Sequence, residues 1–152
     1  MKRTITRIVT TILILYTGAC AYLYFFQRSI LYLPSTNLEA PEKYELSEAK
    51  LLKIKTSDDV EITAWYIEAK PGYPTLAYFH GNAGNLGRRA EKFKDFTESG
   101  FGIFAISYRG YGDSGGKPTE EGLYNDARAA IKYLESIEIR SNDLIAYGES
   151  LG

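Results

Sequence analysis

Gly148-Glu149-Ser150-Leu151-Gly152 has the spacing G-x-S-x-G. A serine flanked this way can sit on a sharp strand-to-helix turn with its hydroxyl exposed, because a Cβ at either glycine would crowd neighbouring backbone. The apolar run 144–147 leads straight into Gly148, as such a turn requires. Ser150 is therefore a candidate nucleophile toward an acyl carbon. The oxyanion formed by that attack needs two backbone N–H donors. One comes from the residue after the nucleophile, Leu151. The other is expected from the loop after an earlier buried strand, here Asn82 within His80-Gly81-Asn82. The plainer reading is a Gly-Ser loop at 148–152 and a tight turn at 82–85 whose Asn85 caps the next helix.

These residues need strands that end together and helices that cover them. Leu52 and Ile54, then Val60, Ile62, Ala64 and Tyr66, alternate around Ser57-Asp58-Asp59 and predict a β-hairpin. The run 75–79 is short and apolar and ends in the His80 loop. Leu86, Ala90, Phe93 and Thr97, with Phe96, fall on one helical face, and Arg88, Arg89, Glu91, Lys92 and Asp95 on the other. The run 101–106 is a second buried strand, followed by a Gly-rich loop over 108–116. Pro118 and Thr119 open a helix with Glu120 and Glu121 in its first turn. Its predicted buried face is Leu123, Ala127, Ala130, Ile131 and Leu134. The run 144–147 is a third buried strand. Hairpin, then strand–helix–strand–helix–strand, predicts an α/β fold with a parallel sheet and helices on both faces.

Residues 8–26 carry no charge, between Lys2, Arg3 and Arg7 on one side and Arg28 on the other. About twenty apolar residues cross a hydrocarbon core of roughly 30 Å. Tyr22, Tyr24, Phe25 and Phe26 gather at the far end, where aromatic rings favour the interface. The excess of early cations predicts a cytoplasmic N-terminus, a single pass and a domain on the far side. A cleaved signal is the competing reading, with Ala19-Cys20-Ala21 as the cleavage-like site, but cleavage there would leave a greasy new terminus. A lipidated Cys20 and a buried core helix are weaker alternatives. The expected layout is a signal anchor over 1–28, a linker or cap over 29–50 and the catalytic-type domain over 51–152.

Composition removes other classes. With 18 Lys+Arg, 19 Asp+Glu and a net charge of −1, no electrostatic footprint for nucleic acid is present. One Cys and one His supply neither a disulfide nor a His/Cys metal site. Gly110-Tyr-Gly112-Asp-Ser-Gly115 matches G-x-G-x-x-G, but a dinucleotide site needs a helix opening inside that loop. No cofactor and no metal are expected.

Taken in order, His80-Gly-Asn-Ala-Gly-Asn85, Tyr108-Arg-Gly-Tyr-Gly-Asp-Ser114 and Gly148-Glu-Ser-Leu-Gly152 resemble the α/β-hydrolase superfamily. The resemblance is to its membrane-anchored branch and covers about residues 30 to 152. It implies a serine hydrolase acting on esters, thioesters or amides. Ser150 is then the nucleophile, Asn82 and Leu151 the oxyanion donors, and His80, Gly81, Gly148 and Gly152 structural loop positions. In that family the triad Asp or Glu and then His follow the nucleophile. Nothing follows Gly152 here, and His80 precedes Ser150. The expectation is an incomplete α/β-hydrolase fold, truncated and inactive alone, with its last strand left as an apolar edge. A separately encoded C-terminal half would complete it, and only then would it take an acyl-type small molecule. Asp113 and Glu149 read as solvated loop charges. The alternative is a non-enzymatic, membrane-anchored remnant or interaction module.

Overall fold

The computed structural model describes residues 2–152, which form two units meeting between Tyr32 and Leu33. The first is one helix, α1 (Lys2–Leu31), of 30 residues with no buried residue. At 1.5 Å per residue it is about 45 Å long. It includes the uncharged stretch 8–26 and runs on past Arg28. It is a candidate membrane span by length and composition. Near its end Tyr22 stacks on Phe26, with ring centroids 4.8 Å apart.

The second unit is built on a five-stranded sheet. Its strands are β2 (Lys50–Lys55), β3 (Glu61–Ile67), β4 (Thr75–Phe79), β6 (Gly102–Ser107) and β7 (Leu144–Gly148), in the order β2-β3-β6-β4-β7. β2 and β3 form the expected antiparallel hairpin, closed where Asp59 adopts φ 66°. β3 is antiparallel to β6, and β6, β4 and β7 are parallel. β3 is buried along most of its length on both faces, because it lies inside the sheet rather than at the margin.

Two helices cover the sheet. α2 (Ala90–Glu98) follows a 3-10 turn at Leu86–Arg89, and Ala90 and Phe93 bury into a cluster with Trp65, Leu76, Tyr78, Ile103 and Ala105. α3 (Glu120–Ser136) lies on the other face, where Tyr133 stacks on Phe104 at 5.6 Å. Phe104 alternates with Ile103 and Ala105, so the two helices take opposite sides of one strand. The buried stripe of α3 is Gly122, Leu123, Asp126, Ala129, Ala130 and Leu134. It is turned from the apolar stripe of the sequence, leaving Ala127 and Ile131 half-buried. The cause is Asp126, held inside by three hydrogen bonds from Arg109: from its N–H (2.8 Å), Nε (2.9 Å) and Nη2 (2.8 Å).

The remaining strands are two-residue pieces. β1 (Leu33–Pro34) pairs in parallel with β5 (Ala83–Gly84). Within 29–50, Leu46 and Ala49 are core residues, and Tyr44 packs on Trp65 with centroids 5.5 Å apart. The run 144–147 forms the expected strand but is not buried. β7 has one neighbour, β4, and Ile145 is 42% exposed. On one face Tyr147 packs against Phe96 of α2, with centroids 5.5 Å apart, while Ile145 and Ala146 stay exposed, so apolar composition alone does not bury the strand.

The start of α3 is sequence-encoded. Thr119 is extended (φ −145°, ψ 155°), and its Oγ1 accepts the Gly122 N–H at 3.0 Å. Thr119→Ala removes that cap and is expected to destabilise the full chain by about 1 kcal/mol. Thermal unfolding in detergent micelles measures this, and an unchanged midpoint would show that the cap contributes nothing.

Candidate active site

β4 and β7 run side by side in a register that pairs Phe79 with Gly148. Both strands therefore end at the same level, and the segments that follow them meet. The Glu149 N–H donates to the Phe79 carbonyl at 2.9 Å, one bond beyond the end of β7. Ser150 follows, exposed and left-handed at φ 55°. A non-glycine residue there is strained, and such strain concentrates at functional turns. The Gly152 N–H closes the turn on the Glu149 carbonyl at 3.1 Å. A Cβ on Gly148 would lie 2.5 Å from the Gly152 carbonyl oxygen, and one on Gly152 would strike the Phe79 backbone. Leu151 is half-buried beside them.

The loop after β4 is fixed by its own residues. His80 is fully buried between the rings of Tyr108 and Tyr111, each 4.8 Å away. Its Nε2 accepts the Tyr108 N–H at 3.1 Å, and Nδ1 lies 2.7 Å from the Gly81 carbonyl. That pattern assigns the proton to Nδ1. Burial, aided by the Arg89 charge, pushes the imidazole down to about 4. His80 is thus neutral, with both nitrogens committed. The Asn82 carbonyl accepts from the Leu33 N–H (2.9 Å) and the Tyr111 hydroxyl (2.8 Å), which fixes the peptide plane beyond it. Gly81 is where the two segments touch. A Cβ there would be 3.2 Å from Glu149 Oε1 and 3.3 Å from the Glu149 carbonyl oxygen.

Asp113 stays an exposed loop charge, paired with Lys53 at 2.8 Å. Glu149 departs from that expectation. Glu149 accepts from the Tyr78 hydroxyl, Arg89 Nη2 (3.0 Å) and Lys92 Nζ (3.3 Å). Burial works against its charge, but these hydrogen bonds and the cations outweigh it and bring the carboxyl down to about 2. Arg89 also departs from its predicted solvent face. It is 8% exposed and donates through Nη1 to the Ala83 (2.7 Å) and Asn85 (3.0 Å) carbonyls. No spacing in the sequence marks Arg89, because two of its acceptors are loop carbonyls and its acidic partner, Glu149, lies 60 residues away. The Gly-rich loop does not open a helix, since α3 begins only at Glu120.

The architecture matches solved α/β-hydrolase folds. The esterase Pf2001 of Pyrococcus furiosus superposes with a TM-score of 0.62 at 25% identity, over 80% of this chain and 49% of that one. Among curated proteins, bem46 of Schizosaccharomyces pombe is 35% identical over 146 residues, covering 88% of this chain and 48% of its own length. The alpha/beta hydrolase domain-containing protein WAV2 of Arabidopsis thaliana is 32% identical over 142 residues, covering 87% and 46%. The chain belongs to the α/β-hydrolase superfamily. It spans about half the length of the curated relatives it matches. A relative from Saccharomyces cerevisiae is described as a membrane protein and is 34% identical over 144 residues, covering 90% of this chain and 50% of its own length. No protein-family model matches the chain.

The buried imidazole has a measurable consequence. Its folded value lies below its ordinary 6.5, so its contribution to stability is complete above pH 6.5 and is lost as pH falls toward about 4. Glu149 adds a separate loss only below its ordinary 4.5. Unfolding free energy is expected to fall on acidification below pH 6.5, with a slope approaching about 1.4 kcal/mol per pH unit. His80→Gln should flatten that slope, measured by denaturant unfolding in micelles. An unaltered slope in the variant would place the proton elsewhere.

Proposed function

We propose that the chain carries the nucleophile of a membrane-anchored serine hydrolase that cleaves esters, thioesters or amides through an acyl-enzyme. One observation carries this reading. Ser150 is held left-handed and exposed at the end of a parallel strand, with the Gly81–Asn82 loop packed against the residue before it. Ser150 Oγ attacks the acyl carbon and forms a tetrahedral adduct, whose oxyanion takes hydrogen bonds from the Asn82 and Leu151 amides. Collapse expels the leaving group, and water hydrolyses the resulting ester on Ser150. Gly81 supports this by admitting the loop to close range. The general base comes from outside residues 1–152, because the only histidine in the sequence is committed at Tyr108 and Gly81. The part of the fold by which the curated relatives exceed residues 1–152 is the proposed source. The committed imidazole equally favours a second reading, a membrane-anchored interaction module without turnover.

A fluorophosphonate probe separates the two. The full chain, mixed with a polypeptide carrying the missing half, is expected to label at Ser150, and Ser150→Ala to abolish labelling. Mixtures that never label Ser150 would leave the interaction module as the reading.

We also propose that α1 is an uncleaved signal anchor, with 8–26 in the bilayer, a cytoplasmic N-terminus and residues 33–152 on the far side. Lys2, Arg3 and Arg7 against Arg28 support this orientation, and the yeast relative supports the membrane itself. Protease added to the cytoplasmic face of vesicles should leave 33–152 intact. Digestion from that face, or a mature protein starting after Ala21, would reverse the assignment.

A further inference from the structure

The two amides assigned to the oxyanion, of Asn82 and Leu151, are 69 residues apart in the sequence, and past the paired strands the backbone joins their segments through the Glu149 N–H and the Phe79 carbonyl. A second connection runs through side chains. Arg89, almost wholly buried, donates through Nη1 to the Ala83 and Asn85 carbonyls and through Nη2 to Glu149 Oε1. Glu149 stands immediately before Ser150. Ala83 stands immediately after Asn82. One guanidinium therefore holds the loop on one side and the nucleophile turn on the other. Its planar fork suits this task, since its nitrogens point along fixed directions and cannot follow an acceptor that drifts.

The surroundings oppose drift in Glu149. Its other oxygen, Oε2, accepts from Tyr78 on β4 and Lys92 on α2. The carboxylate is thereby tied to the sheet, to the helix and to the loop at once. Gly81 lets the loop come this close to the pair, because a Cβ there would lie 3.4 Å from Arg89 Nη2 and 3.2 Å from Glu149 Oε1.

We propose that Arg89 and Glu149 are a positioning pair: their salt bridge sets the spacing between the Asn82 and Leu151 amides and so tunes the oxyanion site. This rests on the reading of Ser150 as nucleophile for its catalytic meaning, while the mechanical coupling stands on geometry alone. Neither residue touches the reacting atoms.

Two measurements on the full chain in micelles keep these levels apart. The first is amide hydrogen exchange over 81–85 and 149–152 in wild type, Arg89→Met, Glu149→Gln and the double variant, with Arg89→Lys in reserve should Arg89→Met not fold. Each single change is expected to speed exchange in both segments, and the double change to add little beyond either. If Arg89→Met loosens only 83–89 and leaves 149–152 at the wild-type rate, the coupling is overturned. The second is fluorophosphonate labelling of the mixture described above. The maximal labelling rate should drop roughly 10- to 100-fold, with the half-saturating probe concentration within about twofold of wild type. A rise in that concentration at unchanged maximal rate would overturn the positioning role. If wild type itself does not label, the hydrolase reading fails, and the exchange data still decide whether the pair couples the two segments.

Discussion

Glu149 donates its N–H to the Phe79 carbonyl, and this bond extends the β4–β7 ladder one step past the last paired residues. The rest of the site depends on that register. Parallel strands ending at one level bring their following loops together, which is why sheets of this kind hold sites beyond the carboxyl ends of their strands. A slip of one residue would turn every β7 side chain to the opposite face. Tyr147 would leave Tyr78, on which it stacks at 5.1 Å, and Gly148 would no longer face Phe79.

Polar groups do as much as apolar ones to hold the loops at this edge. Arg109 joins the Gly-rich loop to α3 through Asp126 and to the hairpin turn through Asp58, at 2.7 and 2.9 Å. Asp126 is fully buried, and burial pushes its carboxyl above the ordinary range while three donors from Arg109 act in the opposite sense. Ser114 adds a third tie, donating to the Ser107 carbonyl at 2.7 Å and accepting the Thr63 N–H at 2.9 Å. The same loop presents Tyr108 and Tyr111 to His80. The imidazole thus acts as a buried spacer whose hydrogen bonds fix the entrance to the Gly81–Asn82 turn.

Most elements were legible in the sequence because their signals are local. Alternation around Asp58-Asp59 marked the hairpin, and Thr119 with Glu120 and Glu121 marked the start of α3. The positions of Ser150 and the His80 loop were legible because close approach demands glycine, and glycines are visible at 81, 148 and 152. What escaped was set by tertiary neighbours. Arg89 looked like one of several cations on a wet helix face, yet loop carbonyls draw it inside. The stripe of α3 turned because a buried carboxylate, not an alanine, had a partner waiting. The half-exposed β7 escaped because a run of apolar residues states what a strand is made of, not what lies over it.

The left-handed backbone at Ser150 carries a consequence for which alcohol can occupy the position. Serine and threonine offer the same hydroxyl, and in most settings one replaces the other with little penalty. At a positive φ the second γ-substituent of a β-branched residue crowds its own main chain, so threonine is disfavoured by shape before its reactivity matters. The turn therefore discriminates between two chemically equivalent groups through sterics alone, and it keeps the slimmer one.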